Sequence, residues 1–158
     1  MDPDPAEDST TDVSSSTPVR QLTVFLDNRI GALLSIVDLL KKNHFEVLGL
    51  SVRDALDATV VRLIVSDPYS VETLFMEKGI PFNTTELIVV ELAEGATQMA
   101  DCLRAILNAE TNIHFIYPML TRPNGRTAIA MCVEDNDFGI TVLNESGFKI
   151  LSQDDLSR

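Results

Sequence analysis

The chain has 158 residues, 45% of them hydrophobic, and 24 acidic against 12 basic side chains give a formal charge of −12. That is enough chain for one domain or two small ones with a sizeable core, and the acidity excludes duplex DNA and anionic membrane as partners, since both need clustered Lys and Arg. No apolar run reaches the roughly 18–20 residues of a membrane span, and the N-terminus lacks the basic-then-apolar layout of a secretory signal.

Residues 1–19 hold five of the acids, none of the bases and three prolines, with almost no large apolar side chain. Such a segment buries too little surface to offset its chain entropy, so a disordered, solvated tail is expected. The other 19 acids against 12 bases leave −7 for the remainder. From Gln21 to Leu26 the pattern alternates, with Leu22, Val24 and Leu26 on one face, and predicts a half-buried strand. The turn Asp27-Asn28-Arg29 leads into a helix over Ile30–Lys42, where Leu33, Ile36, Val37 and Leu40 recur at helical spacing. Val47–Val52 and Thr59–Val65 read as a β-hairpin. Asp67-Pro68 supplies an N-cap and first-turn proline, Gly79 a stop, and Val71, Leu74 and Phe75 the buried stripe of a second helix. A strand over roughly Thr84–Leu92 follows.

The same order then repeats. A shift of 66 residues carries Leu22, Val24 and Leu26 onto Ile88, Val90 and Leu92, and Leu33, Ile36, Val37 and Leu40 onto Met99, Cys102, Leu103 and Ile106. Beyond a second hairpin turn that is two residues longer, Thr121–Arg126 with Asn124-Gly125 at its tip, the shift becomes 68 and superposes Asp67 on Asp135 and Gly79 on Gly147. A period this long exceeds the ~20–50 residues of solenoid units and marks a tandem duplication. The strand over Thr84–Leu92 closes one unit and opens the next, so the units are residues 20–86 and 87–158. Each reads β-α-β-β-α-β. The expected class is therefore α+β: two tandem ferredoxin-like units, each an antiparallel sheet with its helices on one face.

Two such units, the first opening on Leu26-Asp27-Asn28-Arg29-Ile30-Gly31-Ala32-Leu33, resemble the ACT domain family. There the turn from first strand to first helix commonly reads Asn-x-Pro-Gly-x-Leu; Asn28, Gly31 and Leu33 match and Ile30 replaces the proline. Asn43-His44-Phe45-Glu46-Val47-Leu48 and Glu110-Thr111-Asn112-Ile113-His114-Phe115 resemble the family's entry into its second strand. The resemblance covers residues 21–155 and is closest to stand-alone tandem ACT proteins.

The resemblance implies a non-catalytic regulatory protein. It would bind an amino acid or related metabolite between ACT-like units and signal to a metabolic enzyme through altered packing. The implied contacts are Asn28, Arg29, Ile30, Gly31, Ala32 and Leu33, with Gly49 and Ser51 on the facing second strand of a neighbouring unit. Free N–H groups at a helix start favour a carboxylate, Gly31 lets a ligand approach the backbone, and Asn28 offers both donor and acceptor. In the second unit Glu94, Gly95 and Thr97 occupy the equivalent loop, with Glu94 at the position of Asn28 and Thr97 at that of Gly31. A Glu there repels a carboxylate and either occupies the site itself or meets an ammonium, so the two loops are expected to differ. A tight strand-to-helix turn with no ligand is the alternative at both. Exposed sheet edges predict a homodimer. The competing function is an assembly module that has lost its ligand.

Other chemistry finds little support. His44 and His114 do not correspond in the duplication and have no ligand spacing to Cys or a second His. Cys102 and Cys132 lie in apolar stretches and read as core thiols; too few for a disulfide framework, they fit a reducing cytoplasm. Asp135 reads as a cap, Asp154-Asp155 as solvated, and Arg122 and Arg126 as a solvated turn. No phosphate-binding glycine loop, dinucleotide fingerprint or nucleophile elbow occurs. With few aromatics and a negative charge, RNA binding is not expected. No cofactor and no metal are expected.

Overall fold

Strand β1 spans Val19–Leu26 in the computed structural model, which describes residues 17–157. The tail expected over residues 1–19 falls outside the described residues as far as residue 16. Val19 belongs instead to β1 and is fully buried. Nor is β1 half-buried as its alternation suggests. Leu22 and Val24 are buried on one face, and Val19 and Gln21 on the other.

The remaining elements follow in the predicted order. Helix α1 covers Ala32–Lys42, starting two residues later than its periodicity suggests because Gly31 takes the left-handed φ of 89°. The hairpin is β2 (Val47–Asp54) with β3 (Thr59–Val65), and helix α2 is Pro68–Glu77. The Asp67 carboxylate accepts the Ser70 N–H at 3.2 Å and so caps α2. Strand β4 runs Phe82–Leu92. A 3-10 turn at Gly95–Gln98 precedes α3 (Met99–Asn108), then come β5 (Ile113–Pro118) and β6 (Thr127–Val133). Asp135 accepts the Phe138 N–H at 3.1 Å to cap α4 (Asn136–Glu145), and β7 (Lys149–Leu151) and the short α5 (Gln153–Leu156) close the described chain.

The duplication reaches backbone detail. β-Bulges fall between Val47 and Gly49 and, 66 residues on, between Ile113 and Phe115. His44 and Glu110, the pair with no chemistry in common, share a left-handed φ of 63° and 55° after α1 and α3. Position, not side-chain function, is what the repeat preserved there.

β4 serves both units. Phe82–Leu87 pairs with β1, while Ile88–Leu92 pairs with β6 and Val89–Glu91 also with β7. All pairings are antiparallel, and each unit has the ferredoxin-like order, β4-β1-β3-β2 and β7-β4-β6-β5. The sheet then curls until its outer strands meet. Gly49 of β2 bridges Met119 just beyond β5, and the Leu48 carbonyl accepts the Leu120 N–H at 2.9 Å. An edge expected to be free for a homodimer is thus partly used within the chain.

Curling brings the two helix-free faces together. Val19, Leu48, Ile64, Leu87, Val89, Tyr117 and Ala130 form a core between them. Two further cores lie under the helices, one around Leu22, Leu40 and Phe75, the other around Ile88, Ile106 and Met131. The order of layers is helices, sheet, sheet, helices.

One polar pair crosses the inner core. The Tyr117 hydroxyl donates to Gln21 Oε1 at 2.7 Å, and Gln21 Nε2 donates to Thr23 Oγ1 at 3.0 Å. Tyr117→Phe leaves the Gln21 carbonyl buried and unpaired, at an expected cost of about 1–3 kcal/mol. Adding Gln21→Met to that variant should recover most of the loss. Urea unfolding of the single and double variants checks both.

The C-terminal turn ties the second unit to the first. Gln153 is buried; its Nε2 donates to the Val65 carbonyl at 3.1 Å and its Oε1 accepts the Arg20 N–H at 3.2 Å. The solvated reading of Asp154-Asp155 fails for Asp155. Its carboxylate accepts the Ser152 N–H at 2.9 Å while the Ser152 side chain accepts the Asp155 N–H, a capping box at the start of α5. Ser152-x-x-Asp155 was the legible signal.

Candidate ligand site at the first strand-to-helix turn

The turn after β1 is pinned from one side. Thr59 Oγ1 donates to Asn28 Oδ1 at 2.6 Å, and Asn28 Nδ2 reaches the Ala55 carbonyl at 3.5 Å. Both ends of the Asn28 amide are therefore engaged by the β2–β3 hairpin. Gly31 follows at φ 89°, and the position a Cβ would take has no heavy atom within 4 Å. The glycine is required by backbone angle, and the space beside it is open.

No side chain caps α1. The Ala32 N–H turns back onto the Arg29 carbonyl at 3.2 Å, while the N–H groups of Leu33 and Leu34 keep their hydrogen-bonding capacity at the positive end of the helix dipole. Beside them lies a cavity of about 410 Å³ lined by Phe25, Leu26, Asp27, Arg29, Ala32, Ser35, Ile36, Gly79, Ile80 and Pro81. An adjoining depression of about 300 Å³ is lined by Arg29, Ile30, Gly31, Ala32 and Ser35. Asp27 and Arg29 approach to 3.4 Å with side chains 78% and 79% exposed. A pair so exposed contributes little to stability, so a ligand that bears both charges can replace it at little cost. An apolar floor, two opposite charges and an uncapped helix start match the parts of a zwitterion with a side chain.

Of the predicted residues, Arg29, Ile30, Gly31 and Ala32 line these spaces, while Leu33 packs against the core under α1. Gly49 and Ser51 lie elsewhere on the same unit. Gly49 is paired with Ile64 in β3, five strand residues or roughly 16 Å from Thr59 beside Asn28. A Cβ on Gly49 would lie 3.2 Å from Met119 Sδ, so this glycine admits the second unit's chain. Asp27, Ser35, Ile80 and Pro81 are absent from the sequence-level site. Asp27 adjoins the recognised motif and was legible; Ile80 and Pro81 come from the far end of α2 and only the fold brings them in.

The second loop is built differently. Glu94 N–H donates to Gln98 Oε1 at 3.0 Å and Thr97 Oγ1 donates to the Glu94 carbonyl at 2.9 Å. The left-handed residue is Gly95, φ 72°, so Thr97 does not replace Gly31 structurally. The 3-10 turn inserted before α3 displaces the glycine by two positions.

Cys102 is buried in its helix and its thiol is pushed up to about 11 by burial; Cys132 is raised for the same reason, partly offset by the Arg62 charge. Neither is poised as a nucleophile. Arg126 is not merely a solvated turn residue. Its guanidinium sits 3.3 Å from Glu91, whose side chain is 5% exposed on the inward face of β4. Among the described residues no group of three or more His, Cys, Asp or Glu is placed to hold a metal ion. No helix among them is long and apolar enough to cross a membrane.

No curated protein matches this sequence. Among solved structures, a Bacteroides thetaiotaomicron protein superposes with TM-score 0.81 at 22% identity, covering 90% of this chain and 98% of its own. The regulatory subunit of aspartate kinase from Thermus thermophilus superposes at 0.54 with 10% identity over 83% of this chain and 93% of its own. That from Thermus flavus gives 0.51 and 13% over 83% and 94%. At these identities the likeness establishes the fold. A family model described as an ACT domain pair matches residues 17–158.

Proposed function

We propose that this chain, which belongs to the ACT domain-pair family, is a non-catalytic sensor that binds an L-amino acid at the first strand-to-helix turn. The observation that most supports this reading is the cavity beside the uncapped start of α1, with Asp27 and Arg29 at its rim. The ligand carboxylate meets Arg29 and the N–H groups following Gly31, its ammonium meets Asp27, and its side chain lies on Phe25, Ile36 and Ile80. Regulatory subunits of aspartate kinase share the fold. By analogy the ligand favours one packing state over another, and an associated metabolic enzyme reads the difference. If the protein forms a homodimer, Ser51 of a second copy completes the site, Gly49 being packed against Met119 of its own chain, and the free thiols suit the cytoplasm.

The test is thermal unfolding of the full chain with each of the twenty L-amino acids at millimolar concentration. A ligand at about 100 times its Kd stabilises by about 2.7 kcal/mol, which raises Tm by several degrees. One or two related L-amino acids should do so, their D-enantiomers should not, and Gly31→Val or Arg29→Gln should abolish the shift. Twenty flat results with a well-folded protein would favour the assembly module. That second reading draws on the full exposure of Ile30 and Leu56, apolar side chains at the same end of the first unit.

A further inference from the structure

Arg62 of β3 lies between the two sheets, its guanidinium 4.2 Å from the centroid of the Phe115 ring, which belongs to β5 of the second unit. It is half-buried, and among the described residues no carboxylate pairs with it. Arg20, likewise half-buried, has Glu72 at 3.0 Å. Shielding a cation from water costs solvation, and a chain with 24 acids and 12 bases had acids to spare for it. The charge acts well inside the protein. Burial raises the Tyr117 hydroxyl and the Cys132 thiol, and Arg62 partly offsets the rise at both.

The duplication shows that the fold does not require polarity in this row of the sheet. In the second unit the cross-strand row is Leu151, Val89, Ala130 and Tyr117, all buried in the inner core, with the one hydroxyl bound to Gln21. The same row of the first unit, 66 or 68 residues earlier, is Asn83, Thr23, Arg62 and Ser51. Thr23 Oγ1 accepts from Gln21 Nε2 at 3.0 Å, which leaves its own proton to donate. Arg53 stands two residues beyond Ser51 on the same face, diagonal to Arg62 at about 7–8 Å, a gap that long side chains close. Among the described residues Arg53 also lacks a carboxylate partner. One end of the inter-sheet space thus carries two uncompensated guanidinium groups and a free hydroxyl proton.

We infer that this end of the inter-sheet space binds a small oxyanion bearing two negative charges. Arg62, its flat face held by Phe115, presents paired N–H groups to two oxygens, and Thr23 donates its hydroxyl. Arg53 meets the second charge from the rim. Because Phe115 orients the guanidinium, the bound anion reports on both units at once. The site is separate from the first turn. Thr59, which holds Asn28, lies three residues from Arg62 along β3 and so on the opposite, helix-covered face.

NMR of the full chain in slightly alkaline buffer at constant ionic strength, titrated separately with inorganic phosphate, malonate and acetate, tests this. Phosphate or malonate should shift the Arg62 Nε–H and Thr23 signals saturably, and acetate should bind at least tenfold more weakly. Arg62→Gln should abolish the Thr23 shift. Arg53→Gln should cost several-fold in affinity and remove the preference over acetate; at an exposed position, it keeps the test open if Arg62→Gln unfolds the protein. Arg29→Gln should leave the Thr23 shift unchanged, which separates this site from the amino-acid site whichever way that one is decided. No saturable shift at Arg62 with either dianion, acetate bound as tightly as both, or a loss on Arg29→Gln equal to that on Arg53→Gln would each overturn the inference.

Discussion

Val89→Asp is expected to abolish cooperative folding, or to lower stability by at least about 5 kcal/mol. Val89 is fully buried between the two sheet faces, opposite Ala130 in β6 and Leu151 in β7. The cations nearest the inner core are already placed, Arg62 over the Phe115 ring and Arg126 beside Glu91, so a carboxylate at Val89 must either stay charged at a cost of several kcal/mol or take up a proton. The lost valine contacts add about 2 kcal/mol more. Domains of this size hold roughly 5–15 kcal/mol in all, so the loss consumes most of it. Urea unfolding followed by circular dichroism measures it. If the two units were independent modules that only touch, the sheets would part, water would reach the carboxylate, and the loss would stay under about 2 kcal/mol.

The second large effect lies under the helices of the first unit. Phe75 on α2 is fully buried among Leu22, Val24, Leu40 and Val71, and its ring meets Phe82 at 5.9 Å between centroids and 59° between planes. Phe75→Ala should cost about 3–5 kcal/mol, transfer and cavity terms together. At a urea m-value near 2 kcal/mol/M this lowers the midpoint by about 2 M. The transition should remain single, with circular dichroism and tyrosine fluorescence coinciding. Phe82 opens β4, the strand that continues into the second unit, so loosening one unit loosens the other. Two separated transitions would show that β4 does not couple them.

Much of this was legible before any coordinates. Period-2 and period-3.6 patterning, Asp67-Pro68 and Asp135 as caps, and Gly79 and Gly147 as stops recover the elements, and the 66-residue repeat recovers the tandem fold. What stayed hidden is the stacking of the helix-free faces. β1 reads as half-buried because Gln21 and Thr23 are polar, yet Gln21 is buried by pairing with Tyr117, a partner 96 residues away. Pattern reasoning prices a lone glutamine as exposed and has no access to so distant a partner. Glu91 misleads in the same way, its charge offset by Arg126 from the hairpin turn.

The candidate site was half legible. The motif marks Arg29 to Ala32 because backbone angle and helix start are local properties. Ile80 and Pro81 enter the cavity through the chain reversal after α2, which no local motif encodes. Gly49 looked like room for a ligand; the small residue instead makes room for Met119. A glycine in a strand signals close approach, and sequence alone does not say of what.

The most direct measurement is amide NMR of the full chain with the amino acid that stabilises it. The account predicts saturable shifts at Gly31, Ala32, Leu33 and Leu34, where a carboxylate is held by the start of α1, together with Asp27 and Arg29. Shifts confined to Gly95–Met99, or none at saturating ligand, would contradict it.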